Sequence, residues 1–328
     1  MNAGPSASSF GDYPTPVERL EALSSARTTL WVKRDDLTHS VYGGNKVRKL
    51  AALLEDARQS GATRVVTIGG VGSHHVLATG VFGKLLGLEV EAVILKQPCS
   101  AHVLQTVRAS IGQGVRLHPA SSYSDALRRF AELVDAGAYA VPAGGSNRIG
   151  TLGVVAAAHE LAQQIRAGEL PEPELIVVPL GSGGTVAGLL AGLEQAELRT
   201  RVLAISVTEP QKLFERRARA LAQELLDDTL HDRVAQRLEI ERSYLGEGYG
   251  HATLAGSRAM QEATRVGLTL DQTYTSKAFA AALDRVALGA QRQVLFWHTL
   301  SSAPLAPLLV GAPTEQQLEP AIRQLAHD

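Results

Sequence analysis

The sequence predicts an α/β fold with two open, twisted and mostly parallel sheets and flanking helices. Short, nearly continuous apolar runs alternate with longer stretches of helical periodicity through most of the 328 residues. Strands that are apolar on both faces are typical of parallel sheets covered by helices on both sides. Such runs predict strands at 30–33, 64–68, 90–95, 175–178, 202–207 and 294–297.

Composition and charge narrow the class of protein. Apolar residues make up 45% and charged residues 20%, and the net charge of −1 gives no electrostatic basis for binding nucleic acid or an anionic membrane. No apolar run reaches the ~20 residues of a membrane-spanning helix, and the single Cys99 excludes an internal disulfide. We therefore expect a cytoplasmic protein with two domains and a mobile tail at residues 1–11.

The first informative motif is a glycine turn that leads into a helix. A Gly-Gly-Asn turn at 43–45 precedes Lys46, and apolar residues then recur at helical spacing to about residue 60. The positive pole of a helix disfavours a lysine ammonium. The amine is therefore either an incidental solvated group or one that is kept neutral and nucleophilic for Schiff-base formation.

A second glycine-rich turn follows the strand predicted at 175–178. The segment Gly181-Ser182-Gly183-Gly184-Thr185 opens an apolar helix, so its backbone N–H groups and the threonine hydroxyl suit a monophosphate. It lacks both the Gly-Lys-Ser/Thr of a P-loop and the glycine spacing of a dinucleotide-binding turn. The alternative is an ordinary tight turn between a strand and a helix.

A third turn from strand to helix contains Ser73, His74 and His75. Ser73 is placed to cap the following helix, and the same geometry would let it bind a carboxylate. Adjacent histidines face different sides of a helix and no other metal-binding cluster is present, so we expect no catalytic metal. A phosphate site, a distinctive lysine and a carboxylate site together predict pyridoxal 5′-phosphate chemistry on a small amino acid.

In this order, the segments resemble the family of 1-aminocyclopropane-1-carboxylate deaminases and D-cysteine desulfhydrases, which are pyridoxal-phosphate enzymes of fold type II, the tryptophan-synthase-β-like fold. The resemblance extends from residue 13 to residue 299. Further matching motifs are Lys33-Arg34-Asp35-Asp36-Leu37, Gly144-Gly145-Ser146-Asn147, Gly246-Glu247-Gly248-Tyr249-Gly250 and Tyr274-Thr275-Ser276-Lys277-Ala278. It implies a homodimer, and a small domain at 48–160 inserted into a larger cofactor-binding domain of 1–47 and 161–328.

The resemblance also implies roles for individual residues. The implied catalytic residues are Lys46, which forms the Schiff base, Ser73, Tyr249 and Tyr274. The implied cofactor contacts are Asn45, Lys46, His74, Gly181, Ser182, Gly183, Gly184, Thr185, Tyr274 and Thr275, with Thr275 at the pyridine nitrogen. The implied substrate contacts are Ser73, His74, His75, Tyr249 and Thr299. For the two tyrosines, packing against the cofactor is the alternative to handling protons.

Two positions favour one branch of the family. Ring-opening deaminases have Glu after the tyrosine and Leu after the C-terminal histidine, where this chain has Thr275 and Thr299. We therefore expect a lyase like D-cysteine desulfhydrase, which forms a 2-oxo acid and ammonia by α,β-elimination. A neutral threonine would leave the pyridine nitrogen largely unprotonated.

Two departures from the family pattern keep other reactions open. His74 stands where the family usually has Asn, and Leu300-Ser301-Ser302 replaces a glycine pair. The alternatives are the ring opening of 1-aminocyclopropane-1-carboxylate, β-replacement, racemisation and cyclisation.

Overall fold

The computed structural model describes residues 10–327, which contain strands and helices in alternation. The strands are β1 Val17–Arg19, β2 Thr29–Lys33, β3 Arg64–Gly70, β4 Glu89–Leu95, β5 Arg116–Pro119, β6 Tyr139–Ala140, β7 Leu175–Leu180, β8 Arg201–Ser206, β9 Leu238–Glu241 and β10 Gln293–Trp297. The helices are α1 Asn45–Gln59, α2 His74–Leu85, α3 Ala101–Gly112, α4 Tyr123–Asp135, α5 Arg148–Arg166, α6 Gly184–Gln195, α7 Gln211–Gln223, α8 His231–Arg237, α9 Leu254–Arg265, α10 Thr275–Leu288 and α11 Pro320–His327.

The predicted tail at residues 1–11 lies mostly outside the described residues. Where it is described, the prediction is wrong, because Phe10 is buried and its ring packs against that of Phe82 at a centroid distance of 5.3 Å.

One compact unit consists of residues 12–48 and 146–302. Its six-stranded sheet has the order β1-β2-β10-β7-β8-β9, with β1 antiparallel to β2 and the other pairs parallel. Alternate residues of β7 enter different cores. Ile176 and Val178 pack with residues of α5 and α6, whereas Leu175 and Val177 pack with residues of α9 and α10. Both faces of this sheet are therefore covered.

A second compact unit contains residues 10–11, 49–145 and 303–327 of the described chain. Its four strands are all parallel, in the order β5-β4-β3-β6. A small core forms around Ile68, Val93, Ala120 and Ala126. The C-terminal segment is tied to α3, because Arg108 Nε donates a hydrogen bond to the carbonyl of Pro313 at 2.7 Å.

The strand prediction is confirmed for β2, β3, β4, β7, β8 and β10, and with it the mostly parallel α/β fold. The strands that it missed, β1, β5, β6 and β9, are the outermost strands of the two sheets. An edge strand is short and partly exposed, so its sequence lacks the continuous apolar run used for detection.

The compact units differ from the predicted domains at two places. The predicted small domain ends at residue 160, whereas the break lies between 145 and 146. The reason is that α5 packs on the beginning of α1, so closely that a Cβ on Gly153 would lie 1.9 Å from the carbonyl oxygen of Arg48. The segment 303–327, predicted in the large domain, belongs instead with the four-stranded sheet.

A buried cluster of charges fixes this first part of α1. Arg48 Nη2 lies 2.7 Å from Asp35 and Arg48 Nη1 lies 3.0 Å from Glu160, which also accepts from Lys33 Nζ at 2.5 Å. Trp297 Nε1 donates to the remaining oxygen of Asp35 at 2.8 Å. Burial alone would raise the pKa of Glu160, but its bonds to Arg48 and Lys33 hold this pKa below its ordinary value.

We predict that Arg48→Met strongly destabilises the protein. It leaves the carboxylates of Asp35 and Glu160 buried without their main cation, at a cost of about 3–5 kcal/mol. Thermal denaturation followed by circular dichroism measures the effect. The control is Arg58→Met, which removes a solvent-exposed pair with Glu55 on the same helix and should leave the midpoint unchanged. Equal midpoints for the two variants would contradict the prediction.

Candidate active site

Glycines 43 and 44 place Lys46 in the first turn of α1. A Cβ on Gly43 would lie 2.2 Å from the carbonyl oxygen of Asp36. Gly44 has φ +89°, and a Cβ there would lie 2.8 Å from the carbonyl oxygen of Thr299. Only glycine fits at both positions, so the turn must be made this way for the helix to begin where it does.

The Lys46 amine lies in a sparsely charged environment. Its Nζ donates to Asn45 Oδ1 at 2.8 Å, and Asn45 Nδ2 donates to the hydroxyl of Thr185 at 2.7 Å. The ring centroid of Tyr274 is 6.0 Å from the amine. Burial lowers the pKa of Lys46 to about 8, with Asp271 acting in the opposite direction. The amine therefore loses its proton closer to neutral pH than an exposed lysine does.

The glycine-rich turn connects β7 to α6 as predicted. Gly183 has φ +97° in the N-cap position of α6, where no side chain caps the helix. Ser146 Oγ accepts a hydrogen bond from the N–H of Gly184 at 3.1 Å and lies 2.7 Å from the hydroxyl of Ser182. Ser146 belongs to the Gly-Gly-Ser-Asn motif, but the sequence alone did not reveal that it supports this turn.

These residues fit pyridoxal 5′-phosphate. The beginning of α6 supplies N–H groups without intrahelical partners, next to the hydroxyls of Ser182 and Thr185, and such a donor set suits a phosphate. The Asn45–Thr185 hydrogen bond joins this turn to Lys46, whose amine can be neutral at working pH. The Lys46 amine and the glycine-rich turn are thus connected through the side chain of Asn45.

The two predicted tyrosines form a pair. The hydroxyls of Tyr249 and Tyr274 are 2.9 Å apart, and their rings meet edge to face at 78° with centroids 5.7 Å apart. Burial raises the pKa of both phenols, so both are protonated at neutral pH. Since one hydroxyl donates to the other, one proton of the pair is left to donate elsewhere.

Asp271, which the sequence reasoning missed, organises the beginning of α10. Its buried carboxylate accepts from the N–H groups of Thr273, Tyr274 and Thr275 at 2.8–2.9 Å and from the Thr275 hydroxyl at 2.6 Å. The N–H of Asp271 donates back to Thr275 Oγ1 at 2.8 Å. Asp271 stands four residues before the first residue of α10, so the usual signal of a capping residue directly before a helix does not reveal it in the sequence.

These hydrogen bonds with Asp271 determine which further hydrogen bonds the hydroxyl of Thr275 can form. Its side chain is fully buried, its proton is donated to a carboxylate, and one lone pair is used by the Asp271 N–H. The remaining lone pair can only accept a hydrogen bond. The contact of Thr275 with a pyridine nitrogen stays a prediction. A ring nitrogen at that oxygen would have to be the donor, contrary to the unprotonated nitrogen that the sequence suggests.

In the unit that contains the four-stranded sheet, Ser73 caps α2, with its Oγ accepting from the Val76 N–H. His75 is buried, and its Nε2 lies 2.9 Å from the hydroxyl of Thr67. His74 is half-buried, and its Nε2 lies 3.1 Å from that of His102 in α3. The adjacent histidines therefore have different partners, and His102 was not foreseen.

The segment 299–302 wraps around the lysine turn. The carbonyl of Thr299 accepts from the N–H of Asn45 at 3.2 Å. The hydroxyl of Ser301 accepts from the N–H of Gly43 at 2.8 Å, and the hydroxyl of Ser302 donates to Asp36. The two serines that distinguish this chain from its apparent relatives thus make specific contacts with the turn.

Within residues 10–327, no group of three or more His, Cys, Asp or Glu residues could hold a metal ion. Over the same residues, no helix is both long and apolar enough to cross a membrane.

Comparison with known proteins identifies related chains over nearly the whole length. A family profile described as pyridoxal-phosphate dependent enzyme matches residues 9–299. A D-cysteine desulfhydrase of Klebsiella pneumoniae is 33% identical over 307 residues, covering 87% of this chain and 91% of that protein. A bifunctional D-cysteine desulfhydrase/1-aminocyclopropane-1-carboxylate deaminase of Arabidopsis thaliana, described as mitochondrial, is 32% identical over 89% of this chain and 77% of its own.

The fold is also shared with a solved structure. The crystal structure of an ACC deaminase homologue superimposes with a TM-score of 0.76 and 29% identity, covering 94% of this chain and all of that one. The predicted fold of pyridoxal-phosphate enzymes and the predicted cofactor are confirmed by these matches.

We predict that Asp271→Ala destabilises the protein by at least about 2 kcal/mol, because it leaves buried N–H groups at the start of α10 without acceptors. Urea denaturation of the purified variant measures this. Asp232→Ala is the control, since Asp232 is exposed in the first turn of α8. Should both variants unfold at the wild-type midpoint, Asp271 would have no capping role.

We also predict that the Lys46 amine of the cofactor-free protein reacts as a group with a pKa of about 8. Only the neutral amine is nucleophilic, so acetylation by a limiting amount of acetic anhydride should rise with pH to half its maximum near pH 8. Mass spectrometry of the peptide that contains Lys46, with exposed Lys212 as the internal reference, gives the rates. A midpoint near the ordinary value of 10.5 would contradict the prediction.

Proposed function

The chain belongs to the pyridoxal-phosphate dependent enzyme family, and we propose that it is a lyase that removes the β-substituent of a small amino acid, with D-cysteine as the first candidate. With one water, D-cysteine would yield pyruvate, ammonia and hydrogen sulfide. The observation that carries the proposal is the Lys46 amine, with its pKa lowered to about 8 and its hydrogen-bonded connection through Asn45 to the turn at 181–185.

When bound, the cofactor supplies an electron sink for negative charge at the α-carbon of an amino acid. We propose that Lys46 attaches it, that the N–H groups and hydroxyls of residues 181–185 hold its phosphate, and that Tyr274 lies beside its ring. Asn45, His74 and Thr275 are proposed as further contacts. The support is the donor set of the turn and the proximity of Lys46 to Tyr274.

Proton transfer is assigned to Lys46 and the tyrosine pair. A base is most effective when its pKa is near the working pH, and the Lys46 amine meets this condition. We propose that Nζ accepts the α-proton of the substrate. Tyr249 and Tyr274 remain protonated because burial raises the pKa of each phenol, so this pair is the proposed donor of a proton to the departing sulfur.

The substrate carboxylate is assigned to Ser73 and its neighbours His74 and His75. Ser73 lies at the N-terminus of α2, where a hydroxyl and main-chain N–H groups favour an anion. Since the ring of His75 is occupied by Thr67, His75 is proposed to contribute its main chain. Thr299 is proposed as a further substrate contact.

Elimination is preferred to ring opening because Thr275 and Thr299 occupy the positions that separate the two activities in the resemblance. Relatives at 33% identity carry either name, D-cysteine desulfhydrase or putative 1-aminocyclopropane-1-carboxylate deaminase, so the choice rests on these two positions. The second candidate function keeps the cofactor but changes the reaction to β-replacement, racemisation or cyclisation. It is favoured by the His74–His102 contact and by the hydroxyl of Ser301 at the lysine turn.

We also propose that the protein is a cytoplasmic homodimer without nucleic-acid or membrane partners. The net charge of −1 gives no basis for binding nucleic acid or an anionic membrane, and the homodimer rests on the family resemblance. Light scattering on an eluting size-exclusion peak tests the dimer, and a monomer mass would contradict it.

We predict that Lys46→Ala abolishes the absorbance band near the edge of the visible range that the purified protein should show. It should also lower kcat for release of a 2-oxo acid by at least about 100-fold, because attachment and base are both lost. Lys212→Ala, at an exposed lysine, is the control. D-Cysteine, β-chloro-D-alanine and 1-aminocyclopropane-1-carboxylate serve as substrates. A colourless wild type that takes up no added cofactor would disprove the proposal, and retained cofactor without any 2-oxo acid would favour the second candidate.

A further inference from the structure

A buried lysine, Lys277, lies three residues after Tyr274 in the first turn of α10. Its side chain is fully buried, and in the described part of the chain it forms no salt bridge. Burial lowers the pKa of Lys277 to about 8, with Asp271 acting in the opposite direction. A buried ammonium without a paired carboxylate is unfavourable, and the positive pole of the helix disfavours it further. Other contacts must therefore compensate for the position of Lys277.

Two hydrogen bonds to main-chain carbonyls compensate for the burial of the Lys277 amine. Its Nζ donates to the carbonyl of Leu245 at 2.7 Å and to the carbonyl of Gly248 at 3.2 Å. Both carbonyls belong to the irregular segment that leads to Tyr249, where no strand or helix supplies partners for main-chain groups. A lysine amine can reach both because it carries several donors on one flexible stem.

A neighbouring side chain strengthens the same attachment. Gln272 Nε2 donates to the carbonyl of Gly250 at 3.0 Å. The segment 245–250 is thus held on both sides of Tyr249 by residues that flank Tyr274. The hydroxyl of Tyr249 in this segment lies 2.9 Å from that of Tyr274.

We propose that Lys277 is a positioning residue that acts through Tyr249: its amine fixes the segment 245–250 so that the hydroxyl of Tyr249 meets that of Tyr274. The inference rests on the proposed function in one respect, the proton-handling role of the tyrosine pair. Lys277 itself touches neither substrate nor cofactor in this role.

The first test needs no activity. Lys277→Met keeps an unbranched apolar stem but removes the terminal amine and its donors, so the segment 245–250 should open more often. Chymotrypsin should then cleave the native protein after Tyr249 at least about tenfold faster than in wild type, which corresponds to losing about 1.4 kcal/mol of local stability. Lys212→Met, at an exposed lysine, should cleave at the wild-type rate. A wild-type rate for Lys277→Met would overturn the proposal, whatever the protein catalyses.

The second test asks whether the effect on turnover passes through Tyr249. Lys277→Met should lower kcat/KM about tenfold in the wild-type background but less than about threefold when Tyr249→Phe is already present, because contacting groups are not additive. If Lys277→Met lowers kcat/KM by the same factor with and without Tyr249→Phe, Lys277 does not act through Tyr249 and the proposal fails. An inactive wild type would count against the proposed function alone, because the protease rates are unaffected.

Chemical rescue separates a missing donor from a misfolded chain. Lys277→Ala removes three carbon atoms and the amine nitrogen, and propylamine supplies the same heavy atoms. Added propylamine should restore slow cleavage after Tyr249 and at least part of the lost kcat/KM, whereas 1-propanol at the same concentration should not. A variant with native circular dichroism that propylamine leaves unchanged in both measurements would refute the role of the amine.

Discussion

The arrangement of the larger unit depends on the ion pairs between Arg48 and the carboxylates of Asp35 and Glu160. Arg48 follows Lys46 by two residues, so holding its guanidinium also holds the first turn of α1. Breaking a buried ion pair on one side is costly, because the partner charge is left without water or a cation. The close packing of Gly153 on the same turn leaves the helix no room to shift. The position of the reactive amine therefore follows from a contact that does not itself take part in chemistry.

Asp271 fixes the beginning of α10 and the hydroxyl of Thr275 in the same way as Asp35 and Glu160 fix Arg48. It satisfies the N–H groups at the beginning of α10 and takes the proton of Thr275, and its charge also acts on Lys46 and Lys277. The sequence suggests a neutral threonine in this place. The structure shows a threonine whose proton is committed to a carboxylate. This matters for any partner of Thr275, since only its lone pair remains.

Lys46 and Lys277 show how the same residue type can be assigned different tasks by its surroundings. Burial lowers the pKa of each to about 8. Lys46 donates to a single side-chain amide, that of Asn45, so its amine keeps donors and a lone pair available for the proposed reaction. Lys277 donates to two main-chain carbonyls, so its amine is occupied in holding the chain. The number and kind of acceptors around the nitrogen, rather than its pKa, separates the two assignments.

The sequence by itself determined the interior strands, the glycine turns at 43–44 and 181–184 and the cofactor class, because these depend on local pattern: continuous apolar runs, and positions that only glycine can occupy. It missed the edge strands β1, β5, β6 and β9, whose pairing is non-local and whose surfaces are partly polar. Only the tertiary structure decided that His74 meets His102, that Ser146 supports the turn at 181–185, and that Lys277 forms a hydrogen bond with the segment of Tyr249. Each of these is a hydrogen bond between residues distant in the chain, and such a bond depends on how the elements pack rather than on the residues near either partner.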